Sequence, residues 1–302
     1  MAKACEDAIR AQGATPATIF INKGCVHIGA EADELELLCM TDEPAVKVSR
    51  RDMPGVLARG QLGGTTVSGT SLCAHAAGIE VFATGGLGGV HRGAETTMGK
   101  RTHHFFTHYF LDISADLYEL SRTPIFVVCS GVKSILDIGR TLEVLESLGV
   151  GVYTIGEDNA FPAFYVRDSG FKSPGGAIDP IQAAAIIKRH AQLQLKSGAL
   201  FANPLPLESE ADGAKFEEFI ERAVSEASEN NITGAASTPY ILSRLADLSQ
   251  GESVQTNIAL VVNNAKTAAK IAVERYHNKN QSGLTRKEFI DAHPDTLFYS
   301  FT

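Results

Sequence analysis

Long apolar runs, basic blocks, paired-cysteine spacings and internal repeats are all missing from this sequence. Each absence closes a class of function. No apolar stretch approaches the ~20 residues that a membrane-spanning helix requires. The first residues carry Glu6 and Asp7 where a secretory signal would place its apolar centre. Without a cluster of Lys and Arg, and with a formal net charge of -8, the chain lacks the electrostatic footprint of a nucleic-acid or membrane-surface binder. Five cysteines (Cys5, Cys25, Cys39, Cys73, Cys129) are an odd number and none stands in a C-x-x-C pair. Zinc-ribbon and dithiol-redox chemistry are therefore set aside, and reduced thiols in a reducing compartment are expected. The chain reads as soluble and cytoplasmic, with import into an organelle compatible with the same features.

The remaining composition is that of an ordinary globular protein, with 44% hydrophobic and 21% charged residues among 302. Strand-like runs at 17–22, 26–29, 79–84, 125–129 and 150–155, with an apolar stretch at 199–202, alternate with helical stretches. The helices are expected at 3–12, 31–39, 53–58, 71–77, 133–148, 180–197, 215–228, 239–248 and 257–277. In the stretch 133–148, Ile135, Ile138, Leu142 and Leu145 share one face. This alternation predicts an α/β fold, a three-layer α/β/α domain with a mixed central sheet. One domain is expected over residues 1–277, incomplete at its N-terminal end and carrying a His-rich insertion at about 98–111. A loosely ordered polar tail is expected over 278–302.

Chemistry concentrates between Val81 and Asp137. Lys133 follows the apolar run Ile125-Phe126-Val127-Val128-Cys129 and the turn Ser130-Gly131-Val132. A lysine in such surroundings loses solvation, and its neutral amine can attack a carbonyl. The competing assignment is a surface lysine at the start of a helix. Upstream, Thr84-Gly85-Gly86-Leu87-Gly88-Gly89 offers backbone N–H groups for an anion, or merely close strand–helix packing. It lacks the spacing of a dinucleotide fingerprint and the Gly-Lys-Ser/Thr ending of a P-loop. Asp112 and Asp116 stand at i and i+4, a spacing that suits a hard cation. Asp112 alone would equally serve as a helix N-cap. His104 and His108 have helical spacing, with no acidic third ligand at a matching interval. An amine, an anion cradle and carboxylates close together point to an enzyme of phosphorylated sugars.

These blocks together resemble the pseudouridine-5'-phosphate glycosidase family, also called indigoidine-synthase-A-like. The matching stretches are Pro16-Ala17-Thr18-Ile19, Lys47-Val48-Ser49-Arg50-Arg51-Asp52, and the glycine loop with its flanks from Phe82 to Gly93. Asp112-Ile113-Ser114-Ala115-Asp116-Leu117 and Val128 to Asp137 follow. Phe161-Pro162-Ala163-Phe164-Tyr165, Ala202-Asn203-Pro204, Thr238-Pro239 and Asn257-Ile258 complete an ordered set.

The resemblance implies a homotrimeric, metal-dependent glycosidase of nucleoside catabolism, commonly using Mn²⁺. Such an enzyme reversibly splits pseudouridine 5'-phosphate into uracil and ribose 5-phosphate through a lysine imine (Schiff base). It implies Lys133 as the nucleophile and Asp112 as the metal ligand. Lys47, Val67, Ser114, Ala115 and Asp116 become substrate contacts, and Thr84, His91 and Asn257 further pocket positions.

Two departures set expectations of their own. The family's proton-donating glutamate lies in an Ala-Leu-Glu-Ser-Thr block that nothing here matches, and Glu6 belongs to the helix that follows it. The insertion at 98–111 falls between the glycine loop and Asp112. Weak or absent turnover is expected. The alternatives are a non-catalytic sugar-phosphate binder or trimer subunit, or another imine-forming sugar-phosphate lyase. A longer parent fused to a kinase domain is a further arrangement that the sequence leaves open.

Overall fold

A computed structural model describes residues 1–40, 45–92, 113–230, 232 and 237–280. The first helix, α1 (Ala2–Ala11), turns Cys5, Glu6 and Ile9 inward. Strands β1 (Ile19–Asn22) and β2 (Cys25–Ile28) form a hairpin with Asn22 opposite Cys25. Its two turn residues, Lys23 and Gly24, both have positive φ (48° and 78°). That backbone matches the twist of the flanking strands, and glycine in the second position makes it accessible. After α2 (Ala32–Met40) come β3 (Val46–Val48), α3 (Met53–Ala58), β4 (Gly63–Thr65) and α4 (Val67–Ala76). The four strands make a mixed sheet in the order β2-β1-β4-β3, with only β3 and β4 parallel. Helix α4 starts four residues earlier than its apolar pattern predicts, because Thr66 caps it by accepting from Gly69 N.

The second half begins with β5 (Val81–Ala83), β6 (Val90–His91), α5 (Ala115–Leu120), β7 (Phe126–Cys129) and β8 (Leu136–Asp137). It continues through α6 (Ile138–Ser147), β9 (Gly151–Ile155), β10 (Ala177–Ile178), α7 (Pro180–Gln192) and β11 (Ala199–Ala202). The helices α8 (Gly213–Glu229), α9 (Ser237–Leu248) and α10 (Glu252–Asn280) complete the described residues.

Five strands form a sheet in the order β10-β9-β11-β7-β5, parallel in every described pairing. The chain is thus α/β as expected, and the mixed pairing resides in the four-stranded sheet. Every residue of β7 and β11 is buried, so both faces of the sheet are covered. Helix α10 packs on α7 and against β5 and β7, whereas α6 contacts β9.

Two local expectations are corrected. The helix predicted from Lys133 begins at Ile138, where the Asp137 carboxylate accepts from Arg140 N at 3.0 Å. Lys133 therefore lies in a loop, not at a helix start. Helix α5 is capped by Ser114, whose hydroxyl accepts from Asp116 N, so the cap weighed as one of two roles for Asp112 is supplied by Ser114. Asp112, the His-rich segment 98–111, and the tail beyond Asn280 lie outside the described residues. Among the described residues no helix is long and apolar enough to cross a membrane.

Candidate active site

At the C-terminal end of the parallel sheet, β5 and β7 do not part when their ladder ends. Thr84 N donates to Val128 O (3.0 Å), Ser130 N to Gly85 O (2.9 Å), Leu87 N to Gly131 O (3.0 Å) and Lys133 N to Leu87 O (3.0 Å). The glycine loop and the segment leading to Lys133 are thus held together as an extension of the sheet. Side-chain-free positions make that approach possible. A Cβ on Gly86 would meet the Phe164 ring at 2.7 Å and Lys133 Cγ at 3.3 Å. Phe164 is buried and has φ +65°, a strained conformation for a bulky residue. Its N–H donates to Ser130 O at 3.0 Å. Strain of this kind persists only where surrounding contacts over-determine it. Here it presses an aromatic wall against the glycine beside Lys133.

Burial pushes the Lys133 ammonium below the usual lysine range. The Asp116 carboxylate opposes this effect, and the Lys47 charge on β3 adds to it. Lys133 is half-buried, with a route to solvent. The neighbouring Cys129 thiol is buried and pushed up to about 12, which removes it as a competing nucleophile at neutral pH.

Asp116 anchors the opposite wall. Its side chain is 5% exposed and accepts from two backbone N–H groups, Ser68 at 2.9 Å and Gly88 at 3.0 Å. The carboxylate therefore ties the start of α4 to the glycine loop and to α5. Glycine is required at 88, where a Cβ would stand 2.5 Å from Asp116 Oδ2 and closer still to Ser114 Oγ. Gly88→Ala is expected to cost about 1–3 kcal/mol of stability through overpacking. Urea denaturation checks this against Gly64→Ala, whose added Cβ would meet nothing within 4 Å.

The structure brings most of the sequence-predicted site together. Lys47, Asp116 and Lys133 interact electrostatically, and Ser114 caps α5 against Gly88. Val67 is buried as the first residue of α4, and Ala115 is exposed at the start of α5. Thr84 is buried at the end of β5, His91 pairs with Leu136 in the β6–β8 ladder, and Asn257 Oδ1 faces Gly85.

Two residues escaped the sequence analysis. Glu119, fully buried on α5, accepts from Arg50 Nη1 (2.6 Å), Arg122 Nη2 (2.9 Å) and Thr123 Oγ1 (2.6 Å). It moors the Lys47–Asp52 segment to the helix that carries Asp116. Asn264, fully buried on α10, donates to Thr84 O at 2.9 Å and accepts from Asn203 Nδ2 at 2.9 Å. Their signals were a glutamate three residues after Asp116 on a short, mostly apolar helix, and an Asn-Asn pair inside an otherwise apolar helical stretch.

For a divalent cation, the described residues offer no group of three His, Cys, Asp or Glu side chains. Asp116 does not fit that role, since each of its oxygens already accepts a backbone N–H. Asp112, the metal ligand that the resemblance implies, lies outside the described residues.

Several known proteins are similar to this chain over most of its length. The family model for indigoidine synthase A like protein matches residues 1–274. A pseudouridine-5'-phosphate glycosidase of Paracoccus denitrificans (strain Pd 1222) is 47% identical over 273 residues, covering 90% of this chain and 85% of the relative. A protein of the same name from Deinococcus radiodurans is 48% identical over 274 residues, 91% of this chain and 83% of the relative. Among solved structures, the prealnumycin C-glycosynthase AlnA in complex with ribulose 5-phosphate superposes with a TM-score of 0.81. It is 34% identical and covers 93% of this chain and 87% of its own. An indigoidine synthase A-like protein from Thermotoga maritima gives 0.77 at 33% identity, covering 90% and 85%.

Proposed function

The chain belongs to the indigoidine synthase A-like family, and from that premise we propose that it is a pseudouridine-5'-phosphate glycosidase of the cytoplasm, cleaving a C–C glycosidic bond to give uracil and ribose 5-phosphate. The observation that carries the reading is Lys133, a half-buried amine with lowered basicity on a backbone shared with a glycine loop. In the proposed reaction the neutral Lys133 amine bonds to the sugar C1 as the bond from C1 to the ring oxygen breaks, its electron pair leaving on that oxygen, which takes up the proton lost by the amine. The bond from that carbon to uracil C5 then breaks, its electron pair stays on C5, and C5 takes up a proton. The resulting imine is hydrolysed by water, which releases ribose 5-phosphate and restores the amine. Protonating a leaving oxygen would not cleave such a bond.

Lys47 and the Ser114–Asp116 turn belong to the proposed sugar-phosphate contacts, with Val67 lining the start of α4. Asp116 acts by holding the cradle in shape, its own oxygens being occupied by Ser68 N and Gly88 N. A divalent cation such as Mn²⁺ at Asp112 and a homotrimeric assembly are part of the same proposal. When bound, the cation supplies positive charge toward the oxygens of the sugar phosphate.

No described residue stands in for the proton donor. Glu6 lies on α1, where it accepts from Thr18 Oγ1 at 2.8 Å and Arg10 Nη2 at 3.1 Å. Imine formation at Lys133 does not depend on that acid. Borohydride trapping with ribose 5-phosphate, with Mn²⁺ or after chelation, followed by intact mass on a sample sized by light scattering, tests this. One adduct on Lys133 supports the reading. Ribose 5-phosphate binding without an adduct favours the non-catalytic alternative.

A further inference from the structure

We propose that Asn264 is a positioning residue for Lys133, acting through the ends of three adjacent strands. Its carboxamide is fully buried where β11, β7 and β5 finish. Nδ2 donates to Thr84 O at 2.9 Å, with Gly85 O at 3.5 Å and Ser130 Oγ at 3.1 Å also in reach. Oδ1 accepts from Asn203 Nδ2 at 2.9 Å and faces the Ser130 hydroxyl at 3.3 Å. Asn203 in turn donates its backbone N–H to Cys129 O at 2.7 Å. One amide therefore fixes β5 through Thr84, β7 through Ser130 and β11 through Asn203.

Thr84 and Ser130 are the residues at which the glycine loop and the Lys133 segment leave the regular ladder. From there the pairing runs on by Ser130 N to Gly85 O and Leu87 N to Gly131 O, and ends on Lys133 N to Leu87 O. Ser130 O also accepts from Phe164 N, so the same node sets the aromatic wall against Gly86. A side chain needed only for packing would not have to be polar in a fully buried position. An amide whose donor and acceptor both find partners converts a packing contact into a fixed register. Helix α10 reinforces this register, because Asn257, Val261 and Leu260 close over Gly85 from the same helix.

This inference rests on the reading of Lys133 as the nucleophile, so the experiment separates the two. Asn264→Ala and Ser130→Ala are compared with the native chain in three measurements: denaturation midpoint, rate of borohydride-trapped adduct with ribose 5-phosphate, and pH midpoint of Lys133 acetylation read by peptide mass. The acetylation needs no substrate. Asn264→Ala is expected to slow trapping at saturating ribose 5-phosphate by about 10²-fold, the usual cost of misplacing a reacting group by about 1 Å. The half-saturating concentration should stay nearly unchanged, and the acetylation midpoint should move toward that of an ordinary lysine. Ser130→Ala keeps the Asn203 and Thr84 bonds and should shift the same readouts less. A lower denaturation midpoint with native trapping and acetylation in the folded fraction would overturn the proposal. If Asn264→Ala does not fold, Ser130→Ala decides, and native values there overturn it. If the native chain traps no sugar, the functional reading fails. The acetylation midpoint then decides alone: a shift in either folded variant supports positioning, and none overturns it.

Discussion

Lys133→Ala is expected to abolish the trapped adduct and to lower any turnover by at least about 10³-fold, since losing a covalent nucleophile ranks among the costliest single changes to an enzyme. The pH dependence follows from the surroundings of the amine. Burial lowers the Lys133 pKa, Lys47 lowers it further, and Asp116 and the Cys129 sulfur raise it. The neutral, reactive form therefore appears at a lower pH than for a free lysine, and the trapping rate should rise through that depressed midpoint. The same shift has the opposite consequence for stability. A lysine whose folded pKa lies below its unfolded one binds fewer protons when folded. Its stability contribution is fully present above the unfolded pKa and is lost as pH falls through the window down to the folded value. At neutral pH the native chain bears that penalty. Lys133→Met, which keeps the aliphatic stem without the charge, should raise the neutral-pH denaturation midpoint while eliminating the adduct. A lower midpoint than native at pH 7 would show that the ammonium is well solvated, and the reading of Lys133 as an activated amine would fall.

Glu119→Ala is the second large effect. Removing a fully buried carboxylate that holds two arginines typically costs about 3–5 kcal/mol, and the low end applies here. The Arg50 and Arg122 side chains are 40% and 54% exposed, so water can take over part of what the carboxylate supplied. Thr123, by contrast, is buried and would lose its partner outright. The functional effect should fall on binding, because the freed Arg50 lies in the segment that begins with Lys47. The half-saturating ribose 5-phosphate concentration should increase while Lys133 acetylation keeps its native pH midpoint. Glu119→Gln, which preserves volume and part of the hydrogen bonding, should lose less in both measurements. Equal losses in Ala and Gln variants would mean that charge alone matters at this position.

Most strands of the parallel sheet were legible because they are short apolar runs bounded by turn residues. Val81–Ala83, Phe126–Cys129, Gly151–Ile155 and Ala199–Ala202 all fall within runs read from the sequence. Their order was not legible. Nothing local in Ala199–Ala202 says that it inserts between β7 and β9. The helix predicted from Lys133 failed for a related reason. Ile135 fits the helical spacing of Ile138, Leu142 and Leu145, yet it is buried in a loop, Leu136 pairs in the β6–β8 ladder, and the true start is marked by the Asp137 cap. Lys133 itself stood out because an amine following five apolar residues is unusual. Glu119 and Asn264 did not, because a buried polar side chain is recognised only by partners far away in sequence. Arg50 precedes Glu119 by 69 residues, and Thr84 precedes Asn264 by 180.

The placement of β11 also has a consequence for how the molecule forms. Strands β7 and β9 are separated in the sheet by β11, which is made only after α7. A nascent chain emerging up to that point holds two strands with an empty slot between them, and no hairpin can close it because all the partners are parallel. The amide that joins the three strand ends comes from α10, later still. The pieces of the loop that carries Lys133 precede α10 in the chain, so the framework that holds them is finished only once α10 has been made. Until α10 is in place, the amide that joins the three strand ends is missing beside the loop that carries Lys133.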